Sequence, residues 1–176
     1  MIAEWLLLAD LLLLWIPRVE GTRLASIGLG GWRYLWWGAL VYLLVLEAMM
    51  LSGFVLDSVG LGSIRSLQPM IAEYSLVTLL SLLVTGMFLE ETFYRGYLME
   101  RLILVSGRVW VAAVVSWLAF TFVHLRFFGL GPTLDVSVLS AALVLLYVKE
   151  RSVWPCVVVH VINSVLAYLV FPLMVA

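Results

Sequence analysis

The 176-residue chain contains a single cysteine, Cys156, a single lysine, Lys149, and two histidines, while Asp, Glu, Lys and Arg together make up only 12% of it. A lone thiol inside an apolar run excludes a disulfide framework and a cysteine-based metal cluster. Ten Lys+Arg against eleven Asp+Glu leave a net charge of −1, so there is no basic surface for nucleic acid or for adhesion to anionic lipid. Internal repeats, low-complexity tracts and linkers are also lacking, and the chain reads as a single membrane domain, residues 1–176. What is present is apolar: 65% of residues, with a mean hydropathy of +1.15. A soluble domain near this size still leaves roughly 30% of its unfolded-chain surface in water. No such surface can be drawn from this composition, so the chain is expected to be integral to a lipid bilayer.

A helix needs about 20 apolar residues to cross the hydrocarbon core. Glycine, proline and charge divide the sequence into about six such pieces, which predicts an all-α, polytopic membrane helix bundle of about six transmembrane helices. The expected spans are 1–16, closed by Pro17-Arg18; 32–56; 70–105, helical in pattern beyond Glu90 and Glu91; 108–128, stopped by Gly129-Leu130-Gly131-Pro132; 134–148; and 153 onward, with Pro155 in the first turn, where its missing N–H costs least. Lys and Arg concentrate in the first, third and fifth connections, which by the positive-inside rule places both termini on the outer side.

An ionisable side chain deep in a span is expensive unless it faces the bundle interior and finds a partner. Few residues qualify: Glu47, then Glu90, Glu91 and Arg95, then His124, then His160 with Asn163. Glu91 and Arg95, four apart, share a helix face and are expected to neutralise each other. Glu90 lies about 100° around the helix from Glu91 and has to be answered from another helix. Phe120 with His124, and His160 with Asn163, each face one side of their helix. In an antiparallel hairpin about Ser106-Gly107, Glu90 and His124 come level. Glu47 is expected to pair with Arg95 or Arg126 or to reach an interface.

A carboxylate and an imidazole held together in a low-dielectric cavity can take a proton from water. A second imidazole and an amide resemble the donors that hold an oxyanion when that water adds to a peptide carbonyl. The set specifies amide hydrolysis better than transport. Zinc hydrolysis is the rival, with Glu90, His124 and His160 as the three ligands, although no HExxH helix is present; spacing does not choose between metal-bound and metal-free water.

These residues resemble a known family. Glu90-Glu91-Thr92-Phe93-Tyr94-Arg95-Gly96 is similar to the EExxxRG signature of the CPBP intramembrane proteases, the CAAX-processing and bacteriocin-processing group. Phe120 to His124 matches the FxxxH motif, and His160 falls where an HxxxN or HxxxD motif begins, with the difference that its fourth following residue is Ser164 and the amide, Asn163, comes one position earlier. The resemblance covers a family-like core of about residues 76–169. It implies an intramembrane endopeptidase in which Glu90 and His124 activate water, Glu91 and Arg95 form a structural pair, Phe120 supports the second motif, and His160 stabilises the oxyanion with Asn163, or with Ser164 in its place. It further implies a membrane protein or peptide as substrate, lipidated or carrying a C-terminal sorting segment, and a multi-pass location in a prokaryotic cytoplasmic membrane. The metal-free, glutamic-type mechanism is favoured over zinc. The alternatives are an inactive relative serving as membrane scaffold or immunity protein, and a haem protein ligated by His124 and His160.

Overall fold

The computed structural model describes residues 6–7, 10–29, 35–67, 69, 71, 73–81, 83 and 86–170, and every regular element among them is helical. Besides short 3-10 helices at Leu24–Ile27 and Ile64–Leu67, these are in chain order α1 (Leu11–Val19), α2 (Leu35–Ser58), α3 (Leu76–Ser81), α4 (Met87–Glu91, Thr92–Leu98 and Met99–Ser106 in unbroken succession), α5 (Val109–Phe128), α6 (Leu130–Glu150) and α7 (Val153–Val165, continued by Leu166–Val170).

Four of them, α2, α5, α6 and α7, are long and apolar enough to cross a membrane. Residues 1–5, 8 and 9 of the first expected span lie outside the described residues. Its described part, α1, runs past Ile16 through Pro17 to Val19. Proline supplies no N–H there, and the turn closes instead through the N–H groups of Glu20 and Thr22, which donate to the carbonyls of Trp15 and Ile16. The third expected span includes residues 70, 72, 82, 84 and 85, also outside the described set. Its described parts are α3 and α4, and α4 carries Glu90, Glu91, Arg95, Glu100 and Arg101, too many charges for a simple span.

The fifth span begins four residues earlier than expected, because Gly129-Leu130-Gly131-Pro132 is a helix start and not a loop. Gly131 lies so close to the carbonyl oxygens of Leu61 and Gly62 that a Cβ there would overlap both. Pro132 fills a first-turn position that needs no N–H, and Asp135, 1% exposed, accepts the Ile64 N–H at 2.9 Å. At the other end of α4, Gly107 adopts φ +65 and closes the helix as the Ser106-Gly107 turn predicts.

Between helices in lipid there is no hydrophobic drive to associate, so close packing and small residues hold the bundle. α2 lies against α7 through Gly38, where a Cβ would stand 2.5 Å from the Pro155 carbonyl oxygen. α5 is tied to α6 by Trp117, whose indole N–H donates to the Ser137 carbonyl at 2.9 Å. Tyr42, Met99, Leu143, Tyr147, Cys156 and Val159 join these helices in one buried cluster.

Candidate active site

α4 supplies the densest polar motif, and it does so where its helix changes pitch. Glu90 and Glu91 end an ordinary α-helical segment, and Thr92–Leu98 follows with wide, i→i+5 turns. Such widened turns often occur at functional sites. Gly96 lets the N-terminal segment approach: a Cβ on it would stand 2.6 Å from the Ile27 carbonyl oxygen.

Glu91 is fully buried and is the hub of the site. Its Oε1 accepts from Arg95 Nη1 at 3.0 Å and from His160 Nδ1 at 2.7 Å. The expected Glu91/Arg95 pair is therefore present, but it is not self-contained, because α7 reaches it through His160. Arg95, also fully buried, donates through Nη2 to Ser140 Oγ of α6 at 2.9 Å and lies over the Phe120 ring at 4.2 Å. Glu90 is one-third exposed, and its Oε2 stands 4.0 Å from His160 Nε2. The two adjacent glutamates thus address opposite nitrogens of one imidazole.

Phe120, wholly buried in α5, has four partners: Arg95, the Tyr94 ring at 5.1 Å, His124 at 4.5 Å and His160 at 5.9 Å between ring centroids. His124 Nδ1 is 2.7 Å from the Phe120 carbonyl oxygen. A carbonyl only accepts, so Nδ1 carries the proton and Nε2 holds the lone pair. The same reasoning applies to His160: Glu91 accepts from Arg95 as a carboxylate, so His160 Nδ1 donates to it. Phe120 thus lies against both imidazoles.

Zinc fits poorly. Ligands about 2.0–2.1 Å from a tetrahedral zinc stand roughly 3.4 Å apart, whereas Glu90 Oε2 and His160 Nε2 are 4.0 Å apart. Among the described residues, no three His, Cys, Asp or Glu side chains form a group able to hold a metal ion.

Of the remaining expected residues, Asn163 accepts from the Tyr42 hydroxyl at 3.4 Å, which turns its carbonyl oxygen toward α2. Ser164, on the His160 face and 3% exposed, donates to Met87 Sδ at 3.2 Å. Glu47 meets neither Arg95, which is taken by Glu91 and Ser140, nor the bundle interior. It is exposed on α2, because the inner face of that helix is formed by Gly38, Tyr42, Val45, Gly53 and Leu56.

Several contributors gave little sign in the sequence. Ser140 and Ser116, the latter donating to the Tyr94 carbonyl at 2.9 Å, are small polar residues in apolar helices with nothing to set them apart. Glu20 lies outside every motif, yet its carboxylate accepts from Trp15 Nε1 at 3.1 Å, from the Tyr97 hydroxyl at 2.9 Å and from the Arg101 guanidinium. The hydrogen bond from Arg101 holds the Glu20 carboxyl below its ordinary range, against the opposing effect of partial burial. Glu100 accepts from the Tyr147 hydroxyl and from Arg151, each at 2.7 Å. Together these contacts pin the end of α4 to the N-terminal segment and to α6.

The family model for Rce1-like proteins, described as type II CAAX prenyl endopeptidase Rce1-like, matches residues 72–166, more than half of the chain. That range contains Glu90, Glu91, Arg95, Phe120, His124, His160 and Asn163. No curated protein and no solved structure matches the chain.

Proposed function

The chain belongs to the Rce1-like family of type II CAAX prenyl endopeptidases, and from that premise we propose that it hydrolyses a peptide bond of a membrane-associated protein or peptide with a water activated by Glu90 and His124. Membership supports a membrane-embedded protease in general terms.

The observation that carries the reading is the pair of carboxylates around His160, Glu91 at 2.7 Å from Nδ1 and Glu90 at 4.0 Å from Nε2. Glu91, fixed by Arg95, orients the imidazole as a buried carboxylate orients a catalytic histidine. Glu90, one-third exposed as a side chain, is the less buried of the two carboxylates. Glu90 takes the proton as the water oxygen attacks the scissile carbonyl carbon. His124, protonated at Nδ1 by its bond to Phe120, receives or orients the second hydrogen through the Nε2 lone pair. As charge develops on the carbonyl oxygen, the His160 ring that Glu91 holds in place turns an Nε2–H toward it. The Asn163 amide N–H₂, left over once its oxygen accepts from Tyr42, is the second donor. Proton return from Glu90 to the leaving amine completes the cleavage. We read the mechanism as metal-free, a reading supported by the lack, among the described residues, of a group of three His, Cys, Asp or Glu side chains able to hold a metal ion. A lipidated substrate or one with a C-terminal sorting segment suits a site set within the bundle, and a prokaryotic cytoplasmic membrane is the setting we propose.

One observation favours a second reading, an inactive relative acting as membrane scaffold or immunity protein: Ser164 and Asn163 are both engaged, with Met87 and Tyr42, and not with the acid and imidazoles. Turnover decides between the two. Purified protein in detergent should cleave a lipidated or C-terminally anchored membrane peptide, and Glu90→Ala and His124→Ala should not. If both variants cleave like the parent, the enzymatic reading is wrong.

A further inference from the structure

α2 has two faces, and only one is accounted for. Gly38, Tyr42, Val45, Gly53 and Leu56 face the bundle. On the opposite side Leu40, Leu44, Leu51 and Phe54 are 49%, 70%, 66% and 71% exposed, and Glu47, also exposed, stands among them. Positions 40, 44, 47, 51 and 54 advance by four, three, four and three residues, the spacing of a coiled-coil seam with one polar residue at its centre. Glu47 is about 18 Å from the Leu35 end of the helix at 1.5 Å per residue, so it lies near the middle of a hydrocarbon core about 30 Å thick. Its side chain is too short to reach either interface from there. A carboxyl at that depth, facing outward, calls for a hydrogen-bonding partner within the membrane.

We propose that this face of α2 is the interface of a parallel, two-fold symmetric dimer of this chain, with the two Glu47 carboxyl groups hydrogen-bonded to each other at its centre. A second copy is the occupant because copies inserted with the same orientation present equal residues at equal depth, which sets Glu47 against the partner's Glu47. A carboxyl group both donates and accepts, so the pair satisfies itself, whereas a foreign helix would need its own polar residue at the same level. The apolar positions on either side of Glu47 then meet their own counterparts, as an isologous interface requires. α2 lies outside the matched range 72–166, and the dimer does not depend on how the site in α4, α5 and α7 is read.

The test is energy transfer between donor- and acceptor-labelled full-length protein co-reconstituted in phosphatidylcholine vesicles over a range of lipid-to-protein ratios. The parent should show transfer that persists on dilution with lipid. Glu47→Gln, whose amide also donates and accepts, should associate like the parent, and Glu47→Leu should associate about tenfold more weakly. Under mild oxidation Leu44→Cys and Leu51→Cys should cross-link copy to copy, while Phe122→Cys, 62% exposed on α5, should not. A parent that is monomeric at every ratio overturns the proposal, as does a Glu47→Leu variant that associates as tightly as the parent or a Phe122→Cys that cross-links as readily as Leu44→Cys.

Discussion

His160 Nδ1 donates to Glu91 Oε1 across 2.7 Å, joining α7 to the buried ion pair that α4 forms within itself. The second glutamate of the motif is thereby both the counter-charge of Arg95 and the anchor of an imidazole, and its loss should be felt in stability and in chemistry together.

Glu91→Ala leaves Arg95, which is fully buried, without its counter-charge. Breaking such a pair costs about 3–5 kcal/mol, and chemical denaturation in detergent should read a loss of that order. The double variant Glu91→Ala/Arg95→Met should recover much of the stability and none of the turnover, because His160 stays unanchored. Full recovery of peptidase activity in the double variant would contradict the positioning role given to Glu91.

Glu90→Gln and His124→Ala should lower kcat by about 10²–10⁴-fold, the usual contribution of general acid–base groups, with circular dichroism and thermal stability close to the parent's. Glu90 is one-third exposed and stands 4.0 Å from His160 Nε2, and Gln keeps its size and hydrogen-bonding atoms, so the effect should be chemical and not structural.

Asn163→Ala and Ser164→Ala should separate. Removal of an oxyanion donor costs about 10²–10³-fold in kcat, expected for Asn163→Ala with KM little changed. Ser164 is turned into Met87, so Ser164→Ala should keep near-parental kcat. Steady-state kinetics on one peptide substrate checks both, and the reverse pattern would move the donor role to Ser164.

Incubation with a strong chelator followed by gel filtration should leave the rate unchanged. A rate that falls and is restored by zinc would replace the metal-free mechanism with one using Glu90, His124 and His160 as ligands.

Glu20 gives a pH signature away from the site. Its folded carboxyl is held below the ordinary value, first of all by the Arg101 hydrogen bond. The contribution to stability is therefore present above the unfolded-state value, near 4.3, and is lost as pH falls through the lower folded-state value. Melting temperatures of the parent and Glu20→Gln should differ at neutral pH and converge on acidification below about pH 4. A difference that persisted unchanged to low pH would remove Glu20 as the pinning charge of α4.

Much of this was legible in the sequence because polar residues stand out against an apolar background. Glu90, Glu91, Arg95, His124 and His160 could be picked out by their cost in a bilayer alone, and their spacing placed Glu91 beside Arg95. Ser140, Ser116 and Tyr42 could not, since small hydroxyls and tyrosines occur in apolar helices without marking a site. The sequence alone puts the start of α6 four residues late, because Gly-Leu-Gly-Pro has the composition of a turn, and only the approach of the Leu61 and Gly62 carbonyls explains why glycine is needed inside a helix.

The sequence by itself determined that the chain lives in lipid, that its backbone is helical, and which charged groups have to meet inside, because desolvation penalises each of them wherever it lies. Only the tertiary structure decided which nitrogen faces which carboxylate, which side of α2 is covered, and where Asn163 and Ser164 turn. Helices that are apolar on every side carry no contrast from which their neighbours can be read, and the packing of backbones at Gly38, Gly96 and Gly131 settles what the pattern of residues leaves open.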